Sequence, residues 1–428
     1  MQKLPYERLQ ETLYSETLAN GLTVYVLPKP GFQKTYATFS AKFGSIDNHF
    51  QSGNKAASRV PDGIAHFLEH KLFAEPTGDV FATFSAQGAA ANAFTSFDRT
   101  TYLFSATGNI AKNLQTLLDF VQNPYFTDEN VEKEKGIIGQ EINMYRDNPD
   151  WRNYYGLVKA LYQQHPIRID IAGSLDSIAS IDKQLLYDCY HTFYHPANMQ
   201  LFIVGGVDAA EIIELVKKNQ ERKTFAAAEK INRYFPQEPA NVKTREIVVQ
   251  LPVSLPKCLL GIKEEPLAGN GSDLLKRECE MKVLLDMLFG GSSRLYQELY
   301  EDNLISDQFG YEYQCAPGYA FSAVGGETRD PHLLVERIKE RVDQLKESGL
   351  KESDFERNRK KRIGHFLRLL NSPEAIAHEF TKYRFRGADL FAMLSIYENM
   401  RFADVTKRLK RHFDWDRLAV SIVRGDAT

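Results

Sequence analysis

Cysteine is scarce. Cys189, Cys258, Cys279 and Cys315 are the only four in 428 residues, and none stands in a CxxC pair. That excludes a disulfide framework and a thiolate zinc site, and it fits reduced thiols in a cytosolic protein. Long apolar runs are missing as well. No stretch approaches the roughly 20 residues that a bilayer span requires. Residues 1–15 are interrupted by Lys3, Glu7, Arg8 and Glu11 and read as neither signal peptide nor anchor. Excess charge of one sign is also absent. A formal net charge of -3 gives no overall attraction to nucleic acid or to an anionic membrane. The expectation is a cytoplasmic protein with neither nucleic acid nor membrane as partner. Its length favours two or more domains.

The pattern along the chain is mixed. Residues 20–45 read as paired strands, with Asn20-Gly21 as a turn signal before the alternating run Leu22 to Leu27. Helices are expected over 62–75 and 110–122, and strands over 100–106 and 201–207. A long helix is capped by Thr127 or Asp128, carries Glu129 and Glu132 in its first turn, and stops at Asn148-Pro149. Residues 226–245 are charged, hold Pro236 and Pro239, lack periodicity and read as a linker. A faint repeat flanks it. Tyr102-Leu103-Phe104-Ser105-Ala106 resembles Tyr319-Ala320-Phe321-Ser322-Ala323, and Ile203-Val204-Gly205-Gly206 resembles Ile422-Val423-Arg424-Gly425. Two similar α+β halves, 1–225 and 246–428, would explain both matches. Chance likeness between short apolar strands is the alternative.

The chemistry concentrates in His66-Phe67-Leu68-Glu69-His70. On a helix, positions four apart share a face, so His66 and His70 can present two imidazoles to one ion. Glu69 lies close enough to act on water as a general base without being forced to ligate. A helix with two incidental histidines would read the same over five positions. Glu134 and Glu141, seven apart on the long expected helix, share one stripe flanked by Ile138 and Ile142. A carboxylate at an apolar edge is costly without a cation, and zinc held by His66, His70 and Glu141 would supply one.

With these residues the chain resembles the pitrilysin/insulinase family of inverzincin metallopeptidases, whose motif is an inverted HxxEH. The resemblance extends through Asn92-Ala93-Phe94-Thr95, residues 166–178 around Gly173, Tyr194-His195-Pro196-Ala197-Asn198-Met199 and Ser293-Arg294-Leu295-Tyr296. Residues 132–151 look most like zinc proteases of Bacillus-like bacteria. The resemblance implies one zinc per chain on His66, His70 and Glu141, Glu69 as base and Glu134 as support. It implies a clam-shaped enclosure built from halves that are each a mainly antiparallel sheet backed by helices. It also implies an edge strand at Asn92, Ala93 and Phe94 that pairs with a peptide substrate. In the second half, Lys282, Leu285 and Asp286 stand opposite the HxxEH residues, and Phe366 opposite Glu141, so that half should hold no metal.

The implied function is zinc-dependent endopeptidase action on unfolded peptides or peptide precursors. A non-catalytic scaffold subunit is the alternative. Fully active members of the family carry an arginine and a tyrosine seven residues apart in the second half. Here Tyr300 stands at the arginine position, and Ser306 or Asp307 near the tyrosine position. The expectation is a heterodimer with a zinc-free paralogue that carries the pair, with a homodimer as the alternative. His191, His195 and His378 read as packing residues, and Arg357 to Arg362 as a solvated helix face.

Overall fold

A computed structural model describes residues 1–76, 78–265 and 271–425. It divides into two compact units. Unit 1 comprises residues 1–142, 169–234 and 369–385; unit 2 comprises 143–168, 235–368 and 386–428.

Unit 1 is built on a seven-stranded sheet. Its strands are β1 (Gln2–Tyr6), β2 (Glu11–Thr17), β3 (Thr23–Pro28), β4 (Thr35–Ala41), β5 (Ala89–Thr95), β6 (Thr100–Ala106) and β7 (Met199–Gly205). They lie in the order β1-β2-β3-β7-β4-β6-β5. Asn20-Gly21 joins β2 to β3 as an antiparallel pair, with Tyr14 opposite Val26. The strands within 20–45 do not pair with each other, contrary to the expectation. β7 lies between them, parallel to β3 and antiparallel to β4. Its apolar run Leu201 to Val204 suits a central strand covered on both faces, and every residue of β4 and β7 is buried.

Unit 2 carries a five-stranded sheet of β8 (Glu246–Gln250), β9 (Lys257–Glu264), β10 (Gly310–Ala316), β11 (Tyr319–Glu327) and β12 (Leu418–Arg424). Its order is β8-β12-β9-β11-β10. The β8–β12 pair is parallel and the others antiparallel, as at β3–β7 in unit 1. The repeat matches fall on corresponding strands, β6 with β11 and β7 with β12. The protein is therefore α+β, with two large, mainly antiparallel sheets and helices against them.

The helices that matter for the site are α1 (Ile64–Leu72), α2 (Asp128–Asp147), α3 (Pro149–Leu161), α4 (Gly271–Phe289), α5 (Glu352–Leu369) and α6 (Pro373–Phe385). Thr127 Oγ1 accepts from Asn130 N at 3.1 Å and caps α2. Asn148 ends that helix, and its side chain then caps α3, with Pro149 at the first helical position. α3 packs on β8, β9 and β12 within unit 2, whereas α6 packs on β4 and β7 within unit 1. Phe380 of α6 stacks on Phe202 at 4.3 Å and meets Tyr25 edge-on at 5.0 Å. Residues 226–245 include a short strand, Ile231–Arg233, paired with His49–Ser52. Among the described residues no helix is long and apolar enough to cross a membrane.

The start of α1 rests on a close backbone approach. Gly63 has φ +90° and a Cβ there would meet Ala172 O at 2.5 Å; Gly173 has φ +77° and would meet Asp62 O at 2.4 Å. Ser177 Oγ adds a bond to Asp62 O at 2.8 Å. Only glycine accepts this conformation and spacing cheaply. Gly173→Ala should therefore destabilise the protein by about 1–3 kcal/mol, read as a lower denaturant midpoint. An unchanged midpoint would show that the approach is not needed.

Candidate metal centre

α1 is short and almost wholly buried because Ile64, Phe67, Leu68 and Leu72 face the core. Its polar residues are carried inward with them: His66 is 9% exposed, Glu69 8% and Lys71 4%. The helical spacing brings the His66 and His70 rings to 4.5 Å between centroids. α2 supplies the facing carboxylates, two turns apart and separated by about 10.5 Å along its axis.

Glu141 faces both imidazoles. Its Oε1 lies 3.7 Å from His66 Nε2 and its Oε2 3.6 Å from His70 Nε2. Ligand atoms of His66, His70 and Glu141 all lie within 4.8 Å of one another. Nitrogen and oxygen donors bound tetrahedrally at 2.0–2.1 Å are separated by about 3.3 Å. The contacts are too long for hydrogen bonds but close to that separation, so this two-imidazole, one-carboxylate set fits a zinc-like divalent ion after small adjustment.

Glu134 has a different place. One oxygen meets His70 Nδ1 at 3.1 Å and the other accepts from Lys71 Nζ at 3.2 Å. Donation from His70 Nδ1–H would fix the tautomer that leaves the Nε2 lone pair toward Glu141. Burial acts to lower the His70 pKa, but the Glu134 bond and the charges of Glu69 and Glu141 outweigh it and raise the pKa above its ordinary value. Burial acts to raise Glu134, but the His70 bond and Lys71 hold it below the usual carboxylate range. His66 is pushed down to about 4 by burial and by His70. Its Nδ1 finds no hydrogen-bond partner among the described residues, so no bond braces that ring from behind as Glu134 braces His70.

Glu69 is not in the ligand cluster. Its Oε2 accepts from Thr95 Oγ1 at 2.6 Å. Burial pushes its pKa up to about 7; the Thr95 bond and His70 pull against that, while Glu141 adds to it. A carboxylate poised near neutrality beside a metal-ligand set is suited to general-base work. Asn92, Ala93 and Phe94 lie on β5, the terminal strand of the sheet, in register with Leu103, Tyr102 and Thr101. Asn92 Oδ1 accepts from Ala93 N at 2.9 Å.

Two residues were missed as contributors to this site. Lys71 follows the motif directly, but only the fold shows that its buried amine meets Glu134. Thr95 ends the Asn92-Ala93-Phe94-Thr95 segment, and nothing in the sequence linked it to Glu69. In unit 2, Asp286, the repeat counterpart of His70, is 1% exposed. It meets Tyr311 Oη, Arg362 Nε and Lys361 Nζ, the last at 3.1 Å. The basic run on α5 is therefore not simply solvated, since Arg359 also donates to the Tyr397 and Glu398 carbonyls. His378 packs against Phe94 at 5.1 Å and bonds Tyr36 Oη at 3.0 Å. His195 caps a short turn at Ala197 N and contacts Ala226 O.

Residues 40–174, which hold the whole cluster, match the model for insulinase (peptidase family M16), and residues 180–362 match that for the peptidase M16 inactive domain. The chain is 51% identical to the uncharacterized zinc protease YmfH of Bacillus subtilis over 418 residues, 97% of each chain. The chain belongs to the insulinase family, peptidase family M16. A crystal structure described as an M16-like peptidase from Alicyclobacillus acidocaldarius is similar at TM-score 0.95 and 41% identity, covering 99% of this chain and 100% of that one. A Helicobacter pylori protease shares the M16 fold at TM-score 0.84 and 20% identity, covering 96% of this chain and 99% of its own.

Metal ligands bind deprotonated. Divalent-ion uptake by metal-free protein should therefore weaken as pH falls through the raised pKa of His70, where protons compete for the ligand. Glu134→Gln removes the partner that raises it, so the fall should move to lower pH. Affinity at neutral pH should drop about 10–100-fold with the lost orientation. Chelator-competition titrations across pH measure both effects.

Proposed function

We propose that this chain is a zinc-dependent endopeptidase acting on unfolded peptides or peptide precursors, with one zinc held by His66, His70 and Glu141. The observation that carries the reading is the convergence of two imidazoles and one carboxylate within 4.8 Å, with the buried Glu69 three residues from one ligand and adjacent to the other. Names of relatives as zinc proteases support it. Bound zinc supplies Lewis acidity, which activates water near neutral pH and polarises a carbonyl. Glu69 takes the proton from the attacking water and returns it to the leaving nitrogen. The outer edge of β5 at Asn92, Ala93 and Phe94 pairs with an extended main chain, which selects unfolded segments and reads side chains weakly. The four cysteines are free and buried, which suits the cytoplasm.

A paired assembly is part of the reading. Tyr300, at the position where active members of the family carry an arginine, is 53% exposed, and Ser306 Oγ contacts Glu327 at 3.3 Å. Neither supplies a guanidinium–phenol pair, so a zinc-free paralogue carrying that pair would complete the enzyme. Peptide hydrolysis should rise at least tenfold on mixing the two chains. Full activity alone, with no complex formed on mixing, would exclude the heterodimer in favour of a homodimer or monomer.

Two variants test the centre itself. His70→Ala should lose stoichiometric zinc by elemental analysis. Glu69→Gln should keep zinc and fold but lose about 10²–10⁴-fold in peptide hydrolysis. Hydrolysis by Glu69→Gln at the unmodified rate would remove Glu69 as base. Zinc-loaded wild type, with its paralogue, that cleaved no unstructured peptide would favour the scaffold reading, to which the inactive-domain match over residues 180–362 gives weight.

A further inference from the structure

We infer that Thr95 is a positioning residue for Glu69, holding one carboxylate oxygen so that the other is presented to water, and that it ties this orientation to the edge strand β5. The inference rests on the proposed peptidase reading but stands on a separate set of contacts. Thr95 is the last residue of β5 and its hydroxyl crosses to α1, donating to Glu69 Oε2 at 2.6 Å. A hydroxyl has one hydrogen to give, and the neighbouring contacts decide where it goes. Thr100 Oγ1 lies 3.3 Å from Thr95 Oγ1 and donates its own hydrogen to Phe43 O at 2.9 Å. With that hydrogen given to Phe43 O, the buried Thr100 hydroxyl presents lone pairs to Thr95.

Thr95 therefore has two acceptors for one hydrogen, a neutral hydroxyl at 3.3 Å and a carboxylate at 2.6 Å. The shorter, charge-assisted bond wins. That bond holds the Oε2 side of the Glu69 carboxylate and so presents Oε1 to water. Because Thr100 is paired with Thr95 across β5 and β6, the hydroxyl pair is set by strand register. The base is aligned from the strand that would receive the peptide main chain. An extended substrate that orders the end of β5 would at the same time fix Thr95 and hence Glu69.

The test compares wild type with Thr95→Val and Thr95→Ser, each with zinc content measured and each assayed with the paralogue present. Valine keeps the β-branched shape and strand propensity while removing the hydroxyl; serine restores the hydroxyl. Thr95→Val should keep zinc and KM within about twofold and lower kcat about 10–100-fold, the range for loss of an orienting partner. Thr95→Ser should recover most of kcat. Crystal structures of the metal-free proteins form an arm independent of activity: Glu69 should keep its orientation in wild type and Thr95→Ser, and turn or split into several conformers in Thr95→Val. Glu69 unmoved in Thr95→Val overturns the inference whatever the activity. Equal loss in both variants, or a change in KM or zinc content, shows a packing role and also overturns it. An inactive wild type whose Glu69 nevertheless turns in Thr95→Val leaves the positioning role standing and removes the peptidase reading instead.

Discussion

Ionisable side chains crowd a partly buried space between α1 and α2, and a buried charge is unfavourable unless something meets it. Glu134 meets His70 Nδ1 on one oxygen and the buried Lys71 amine on the other. Glu141 instead has both imidazole Nε2 atoms in front of it, 3.6 and 3.7 Å away, at the spacing of shared coordination. The contrast between two carboxylates seven residues apart on one helix is what gives the site its direction. One closes a charge pair behind His70, and the other faces the Nε2 atoms of both imidazoles.

The same constraint is met differently in unit 2. Asp286, at the repeat position of His70, is more deeply buried than His66 but is compensated by Arg362, Lys361 and Tyr311. Those groups come from α5 and β10, the counterparts of α2 and β5. In unit 2, α5 thus delivers two cations to the Asp286 carboxylate, where in unit 1 α2 presents the Glu141 carboxylate to two imidazoles. A repeated fold can keep its sheet order and its packing while the polar cluster beside α1 or α4 changes its chemistry, because the sheet core is apolar and indifferent to that exchange.

The sheet itself depends on coverage of both faces. β4 and β7 are buried along their whole length, and a helix from the far end of the chain, α6, covers them through Phe380. In unit 2, α3 from the first half of the chain packs on β8, β9 and β12. Each sheet therefore takes a covering helix from the other half in sequence. Local periodicity showed where helices and strands begin and end, as at β6 and at the Thr127 cap of α2. It carried no information about which sheet a helix would cover, and it did not reveal that β7 would insert between β3 and β4.

What the sequence by itself determined were relations internal to one element. The helical period put His66 and His70 on one face and Glu134 and Glu141 on one stripe, because 3.6 residues per turn is a property of the backbone. The Asn20-Gly21 turn and the apolar run Leu201 to Val204 within β7 were legible for the same reason: turn geometry and strand burial are written in adjacent residues. Tertiary structure alone decided the relations between elements. It set Glu141 against both Nε2 atoms, gave Lys71 to Glu134 and laid the Thr95 hydroxyl on Glu69. Those partners are separated by 26 to 75 positions, and their meeting depends on strand order and helix packing, which no periodicity encodes.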